Sequence, residues 1–361
     1  MRTPSTNHFS TITPTQFGLG FAWLGVLIYA ASNSIATLLV DIGAASPVAG
    51  GRNAITFTNL LFLGSLISLI PMTVLFRGDW TRKNLRRLSW GHWGLLTLSA
   101  LLSSALTPGL FFFALEHSSV TNVVLVSRIE PPLFLLAAGV FLRERVDLKA
   151  FTAGLVALFG AMLIIVLRES GGHCVFGIGE IAAALATLSY VASAIVARKA
   201  LKEIPMGLFS IYRTAAGTLI YFALISVLRG PQQFQDVFSP VLLSWIWLYA
   251  LPVVVVGQLT WFIALKYARS SDVALASSFS PVAGVVFAML LLGENPGAGL
   301  LPGGALILLA ICVGQLKMPV LPELKRIWRK RPTFSPEGIA QLVVPVAALP
   351  GANNRAYTGS Y

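Results

Sequence analysis

The stretch Ser127-Arg-Ile-Glu-Pro-Pro-Leu-Phe-Leu-Leu-Ala-Ala-Gly-Val-Phe-Leu-Arg-Glu144 returns 150 residues later as Ser277-Ser-Phe-Ser-Pro-Val-Ala-Gly-Val-Val-Phe-Ala-Met-Leu-Leu-Leu-Gly-Glu294. Serine, proline, leucine and glutamate keep their register. The match runs without a gap from Leu98–Leu158 onto Leu248–Leu308, with 15 of 61 aligned pairs identical. Phe112, Ala114 and Leu115 return as Phe262, Ala264 and Leu265, and Gly154 returns as Gly304. Apolar low complexity would match mainly leucine with leucine, so this is a duplication. Upstream, Leu27, Tyr29, Ala31, Ser32, Ala36, Arg52 and Ala54 match Leu188, Tyr190, Ala192, Ser193, Ala197, Arg213 and Ala215 at an offset of 161. The larger offset reflects a longer loop between the second and third helices of the first copy. Duplicated membrane units are the plan of many secondary transporters, with the site where the copies meet.

Composition sets the solvent. The 361 residues are 56% hydrophobic and 11% charged, with mean hydropathy +0.78. A soluble domain carries roughly a quarter of its residues as charges. The apolar runs reach the ~20 residues that a helix needs to cross a bilayer. In lipid their backbone groups must bond within the segment, so the runs are helices. Ten are expected: 18–40, 53–76, 93–115, 120–142, 150–167, 178–197, 206–228, 242–265, 272–292 and 299–316. The expected fold is an all-α polytopic membrane protein of ten transmembrane helices, arranged as two five-helix repeats at 18–167 and 178–316. Residues 1–17 and 317–361 form tails. The run Gly18–Val40 exceeds the 7–15-residue core of a signal peptide and reads as the first helix.

Five is odd, so the copies enter the membrane from opposite sides. The charges agree. With the N-terminus inside, 21 of the 26 Lys and Arg fall in cytoplasmic segments, and only Arg168 and Arg229 fall in outside loops. The basic loop 77–92 faces a nearly neutral counterpart, 229–242. This is an inverted-topology repeat by the positive-inside rule, with both termini cytoplasmic in an inner or plasma membrane. The net charge of +12 is therefore loop charge, and nucleic acid is excluded as a partner. Cys174 and Cys312 are not expected to pair. No metal-ligand spacing, phosphate loop or hydrolase motif occurs, and neither metal nor cofactor is expected.

The quoted stretch with its echo, the glycines Gly154, Gly160 and Gly304, and the arginines Arg52 and Arg213 opening the second helix of each half resemble the drug/metabolite transporter superfamily, specifically EamA-type permeases. The resemblance covers about 18–316. It implies a secondary-active or facilitative transporter working by alternating access, with export as the direction. The cargo class it implies is broad, reaching amino acids, sugars, nucleotides and drugs.

Charges within a membrane cost at least ~2.5 kcal/mol each on insertion scales. Arg128 and Glu130 are the deepest, halfway along the fourth helix. Pro131 and Pro132 follow and break its hydrogen-bond ladder; Pro281 repeats the break in the second copy. Residues two apart on a regular helix point about 200° from each other, so Arg128 and Glu130 meet only where the helix is deformed. In one reading Arg128 grips a carboxylate or phosphate of the cargo, and Glu130 meets an ammonium group or carries a coupling proton. In the other they are a structural ion pair, or two charges paired to neighbouring helices. The second copy has Ser278 and Ser280 at these places, so the fold does not itself demand charge. Gln258, Tyr29 and Tyr190 are further candidates for the cavity wall, each with an interhelical packing role as its rival. Arg52 and Arg213 read as architecture near helix ends, Glu144 and Glu294 as gate or packing elements at helix ends, Glu180 as an interfacial charge, and Thr107-Pro108 as a midplane polar or kink position.

The expected cargo is a small polar metabolite with a negative group, an amino acid or organic anion. The basic run Lys325, Arg326, Arg329, Lys330 and Arg331 would attract anionic lipid headgroups. A second copy of the chain is a further candidate partner, as a homodimer. Two rivals remain at this stage: a membrane-embedded enzyme on a lipid-linked substrate, and a non-transporting scaffold. The enzyme would need a nucleophile, base or metal cluster at one face of the membrane.

Overall fold

The computed structural model describes residues 13–48, 50–118, 120–144, 147–168, 177–293 and 298–315. The tail 317–361 and Glu294 lie outside them, as does Cys174. Within the described residues the chain is helical throughout and contains no strand. The principal helices are α1 (Pro14–Ala45), α2 (Phe57–Leu75), α3 (Trp90–His117, in three pieces), α4 (Val120–Ser127 with Glu130–Phe141) and α5 (Leu148–Arg168). The second copy supplies α6 (Ile178–Glu203), α7 (Met206–Arg229), α8 (Pro240–Tyr267, in pieces), α9 (Ser270–Ser277 with Ser280–Leu292) and α10 (Leu300–Gln315). Among the described residues nine of these are long and apolar enough to cross a membrane; α10 is apolar but shorter.

Local chemistry sets the starts. Thr13 and Gln16 form a capping box ahead of Pro14, and Ser89 and His92 form another ahead of α3. Each gives two orphan N–H groups a partner. Thr56 caps α2 through the Asn59 N–H.

Packing exchanges the first helix of each copy. α1 lies against α8 and α9, whereas α6 lies against α3 and α4. The copies therefore interlock, and α6 is the most buried span. Small residues make its close approaches feasible, with Ala182, Ala183, Ala186, Ala194, Ala197 and Ala200 all buried along it. α5 and α10 cross through glycine. A Cβ on Gly160 would stand 2.7 Å from the Gly303 carbonyl oxygen, and one on Gly303 would meet the Gly160 carbonyl in return. Gly154, the other glycine of this stretch, has only Pro132 nearby, at 4.0 Å. Large apolar side chains such as Phe141, Leu219, Val227 and Leu301 stay exposed on the outer face, as a lipid-facing surface requires.

The repeat reappears in the irregularities. α3 widens to a π-helix at Leu102–Leu106 and α8 widens at Ala250–Gly257, overlapping positions of the two copies. Each widening has a proline in or just past it, Pro252 within the second and Pro108 two residues beyond the first, whose ring clashes with a regular helical turn. Thr107 is thus at the edge of the expected irregularity, and its hydroxyl donates to Ser189 Oγ at 3.0 Å, joining α3 to α6.

Cross-loop ties fall into two sets. In one, His92 Nε2 meets Glu203 at 3.0 Å, Gly207 N donates to Asp79 at 2.8 Å, and Arg198 pairs with Glu144 at 3.1 Å. In the other, Arg52 pairs with Asp236 at 2.9 Å, Arg229 with Glu116 at 3.7 Å, and Glu180 accepts from Ser118 and Asn122. With Arg198 donating to Ala268 O and Ser270 to Glu144, the first set ties helix ends at the connections after α2, α4, α6 and α8; the second ties those at the connections after α1, α3, α5 and α7.

Several expectations need correction. Glu180, in the first turn of α6, is more than a free charge: it is 5% exposed and also accepts from the Gly177 N–H at 2.7 Å. Matched serines also differ: Ser32 donates to its own helix at Tyr29 O, 2.7 Å away, whereas Ser193 reaches Ser99 O on α3, at 3.5 Å. Arg52 and Arg213, matched in sequence, sit in unlike places. Arg52 lies in the loop before α2, whereas Arg213 is inside α7 and belongs to the site below.

Candidate functional site

Both α4 and α9 are broken in mid-course. In α4 the first piece stops at Ser127 and the second starts at Glu130; in α9 the pieces stop at Ser277 and start at Ser280. The intervening pairs, Arg128-Ile129 and Ser278-Phe279, are equivalent across the repeat. Arg128 N and Ile129 N bond three residues back, to Leu125 O and Val126 O at 3.2 Å each, so the chain tightens there into a turn. Pro131 and Pro281 have no N–H to continue a ladder and occupy the first turn of each new piece, where none is needed. The deformation expected from the double proline lies immediately ahead of it.

The breaks open onto a cavity of about 670 Å³. Its wall draws on both copies: Tyr29 from α1, Arg128, Glu130 and Pro131 from α4, Tyr190 from α6, Arg213 from α7, Trp261 from α8, and Ser278, Ser280 and Pro281 from α9. Four of the five expected binding residues line it: Arg128, Glu130, Tyr29 and Tyr190. Pro132 is buried behind the wall. Arg128 and Glu130 are half-buried and act on each other electrostatically, yet no hydrogen bond joins them, and Arg128 Nε has no partner. Tyr29 stands edge-on to Trp261, ring centroids 6.3 Å apart.

Gln258 lies elsewhere. It lines a side cavity of about 160 Å³, and its amide is spent on Thr214: Nε2 donates to Thr214 Oγ1 at 3.1 Å, and that hydroxyl stands 3.3 Å from Oε1. An intramembrane amide that bridges α7 and α8 holds helices together first.

The repeat match alone assigns Arg213 to architecture. It lines the main cavity and the side cavity alike. Its guanidinium carbon stands 5.1 Å above the centroid of the Phe262 ring. A sequence signal for this existed. Arg213 follows Met206, the start of its apolar run, by seven residues, about 10 Å along a helix axis and beyond any helix end. The match to Arg52 concealed it.

At one end of the bundle Arg198, 4% exposed, donates to the carbonyls of Leu265 and Ala268 at 2.8 and 2.7 Å while pairing with Glu144. Glu144 also accepts from Ser270 Oγ at 2.7 Å. Partial burial acts to raise the Glu144 carboxyl, but the Ser270 hydroxyl, Arg198 and Lys202 outweigh it and hold the group below the usual carboxylate range. No cluster of His, Cys, Asp or Glu among the described residues has the makings of a metal site.

A solved crystal structure superposes on this chain with a TM-score of 0.65 at 20% identity, covering 84% of this chain and 99% of that one, so the two share a fold. An uncharacterized transporter from Synechocystis sp. is 36% identical over 291 residues, which is 79% of this chain and 83% of the relative. The EamA-like transporter family matches residues 16–166 and 177–313. With the apolar helices and the central cavity, these matches make the chain an integral membrane protein that belongs to the EamA-like transporter family.

Proposed function

We propose that this protein moves a small polar metabolite bearing a negative group, such as an amino acid or organic anion, by alternating access between two inverted five-helix repeats. Ten crossings put both termini in the cytoplasm, and the direction is export across the cell membrane. The observation that carries the reading is charge at depth: two arginines and a glutamate converge on one cavity beside two helix breaks. A void of this size falls within the range of small-ligand sites. Broken helices offer backbone groups to cargo where an intact helix offers none. The division of cross-loop ties into two sets, each linking alternate connections, agrees with ten crossings. Glu130 serves as the acidic partner, for an ammonium group or a coupling proton.

The test is a thermal-shift screen of the purified protein against amino acids, organic anions, sugar phosphates and nucleotides, followed by flux of each hit in proteoliposomes. A ligand at 100 times its Kd stabilises by about 2.7 kcal/mol. Stabilisation by one anionic or zwitterionic class, with flux that fails in folded Arg128→Ala and Glu130→Gln variants, is the expected result. Hits that bind and move equally well in both variants would place the site elsewhere.

A further inference from the structure

We infer that Arg213 is the anion anchor of the cavity, the residue that takes the carboxylate or phosphate of the cargo. The inference rests on the transport reading for the word cargo, and on geometry for the anion site itself.

Among the described residues three charged side chains line the cavity, and they are not equivalent. Arg128 and Glu130 are two residues apart in the α4 break and oppose each other in charge. Arg213 has no such counterpart. Its electrostatic neighbours are the hydroxyls of Tyr29 and Tyr190 rather than a carboxylate. Its Nε is buried with no partner, and none of its N–H groups has a hydrogen-bond partner among the described residues. Phe262 covers the guanidinium at 5.1 Å. That contact is worth about 0.5–2 kcal/mol and uses the π-face of the ring rather than any N–H donor. A guanidinium has five in-plane donors, a fork that matches a carboxylate or phosphate bidentately. The cavity thus carries one positive charge in excess, held where charge is costly and with its donors unused.

Placement gives a second argument. Arg213 lines both the 670 Å³ cavity and the 160 Å³ side cavity. The smaller space is walled by hydroxyls, including Ser65, Ser104, Thr218 and Tyr221. An anion held at Arg213 leaves the rest of a ligand free to lie along the larger cavity toward Glu130. The repeat supports specialisation: the position matched to Arg213 in the first copy, Arg52, is committed to Asp236 by bonds of 2.9 and 3.0 Å.

The test uses iodide, an anion that quenches tryptophan, with Trp261 in the cavity wall as reporter. The Trp261 signal is the difference between the wild type and Trp261→Phe, and acrylamide is the uncharged quencher that reports access. The expected result is that Arg213→Gln lowers the iodide quenching constant of Trp261 about tenfold, equal to 1.4 kcal/mol of lost attraction, with acrylamide quenching unchanged. Arg213→Lys, which keeps the charge, retains part of it. The double variant Arg128→Gln/Glu130→Gln keeps the excess charge and is expected to keep iodide access. Acetate or phosphate at matched ionic strength is expected to displace iodide, and whichever competes better names the anion class. Iodide quenching that survives Arg213→Gln, or disappears only in the double variant, overturns the assignment, as does displacement by neither anion. A protein that passes this test but moves no cargo retains the anion site and loses the transport reading; one that moves cargo and fails it loses only the anchor.

Discussion

Arg198 and Glu144 show how a charge is kept near the end of a helix bundle. The arginine is buried, with two carbonyls and a carboxylate as partners, and the carboxylate is also bonded by Ser270. Breaking such a pair by removing one partner leaves a buried charge uncompensated. Glu144→Ala is therefore expected to destabilise by about 3 kcal/mol at neutral pH, the low end for buried pairs because Glu144 keeps some exposure. The sign with pH follows from the depressed carboxyl. Its contribution is complete above the unfolded value, about 4.5, and is lost as pH falls from there through the lower folded value. Thermal melts of wild type and variant should differ most at pH 7 and converge as the pH falls below 4.5; a gap that stays unchanged however acid the solution would exclude this ion pair as its cause. Arg52 and Asp236 make the contrast, since Arg52 keeps nearly half its side-chain surface and solvent screens the pair.

Among elements, the α5–α10 crossing carries the clearest packing constraint. Gly160 and Gly303 place backbone against backbone, so a side chain on either has nowhere to go. Helices in lipid associate largely through such close approach, because burial of apolar surface no longer drives them together. Gly160→Val should cost about 3 kcal/mol by overpacking, read as a fall in the thermal midpoint in detergent. Gly20, which has open space at its Cβ, is the matched control, and equal losses at Gly160 and Gly20 would show that the crossing is slack. The helix breaks follow a different logic. Proline set their place in both copies, and the residue types at the break then diverged to Arg128 and Ser278.

Over the whole molecule, the exchange of α1 and α6 between copies fixes which surfaces enclose the cavity. The predicted topology is checked by labelling single cysteines in a Cys174→Ser/Cys312→Ser background. Arg86→Cys, in the basic connection after α2, is expected to react with an impermeant maleimide only from the cytoplasmic side. Gln235→Cys, after α7, is expected to react only from outside. Labelling of both from one side would break the inverted arrangement. The apolar helical body and its doubling were legible beforehand, because helix length and the repeat period are local or additive along the chain. The breaks in α4 and α9 were legible for the same reason, since proline acts on its own backbone.

What the sequence determined by itself was the duplicated all-helical membrane body and the place of Arg128 and Glu130 midway along α4. Both follow from hydropathy and period, which need no knowledge of partners. Only the tertiary structure decided between Arg52 and Arg213, two residues matched in the repeat. One met a carboxylate from a distant loop, and the other met an aromatic face and an open cavity. It likewise sent Gln258 to Thr214 and buried Glu180 against the α3–α4 connection. A side chain's chemistry is fixed by its type, but its partner is set by which helices pack together, and that choice is made across the fold rather than along the chain.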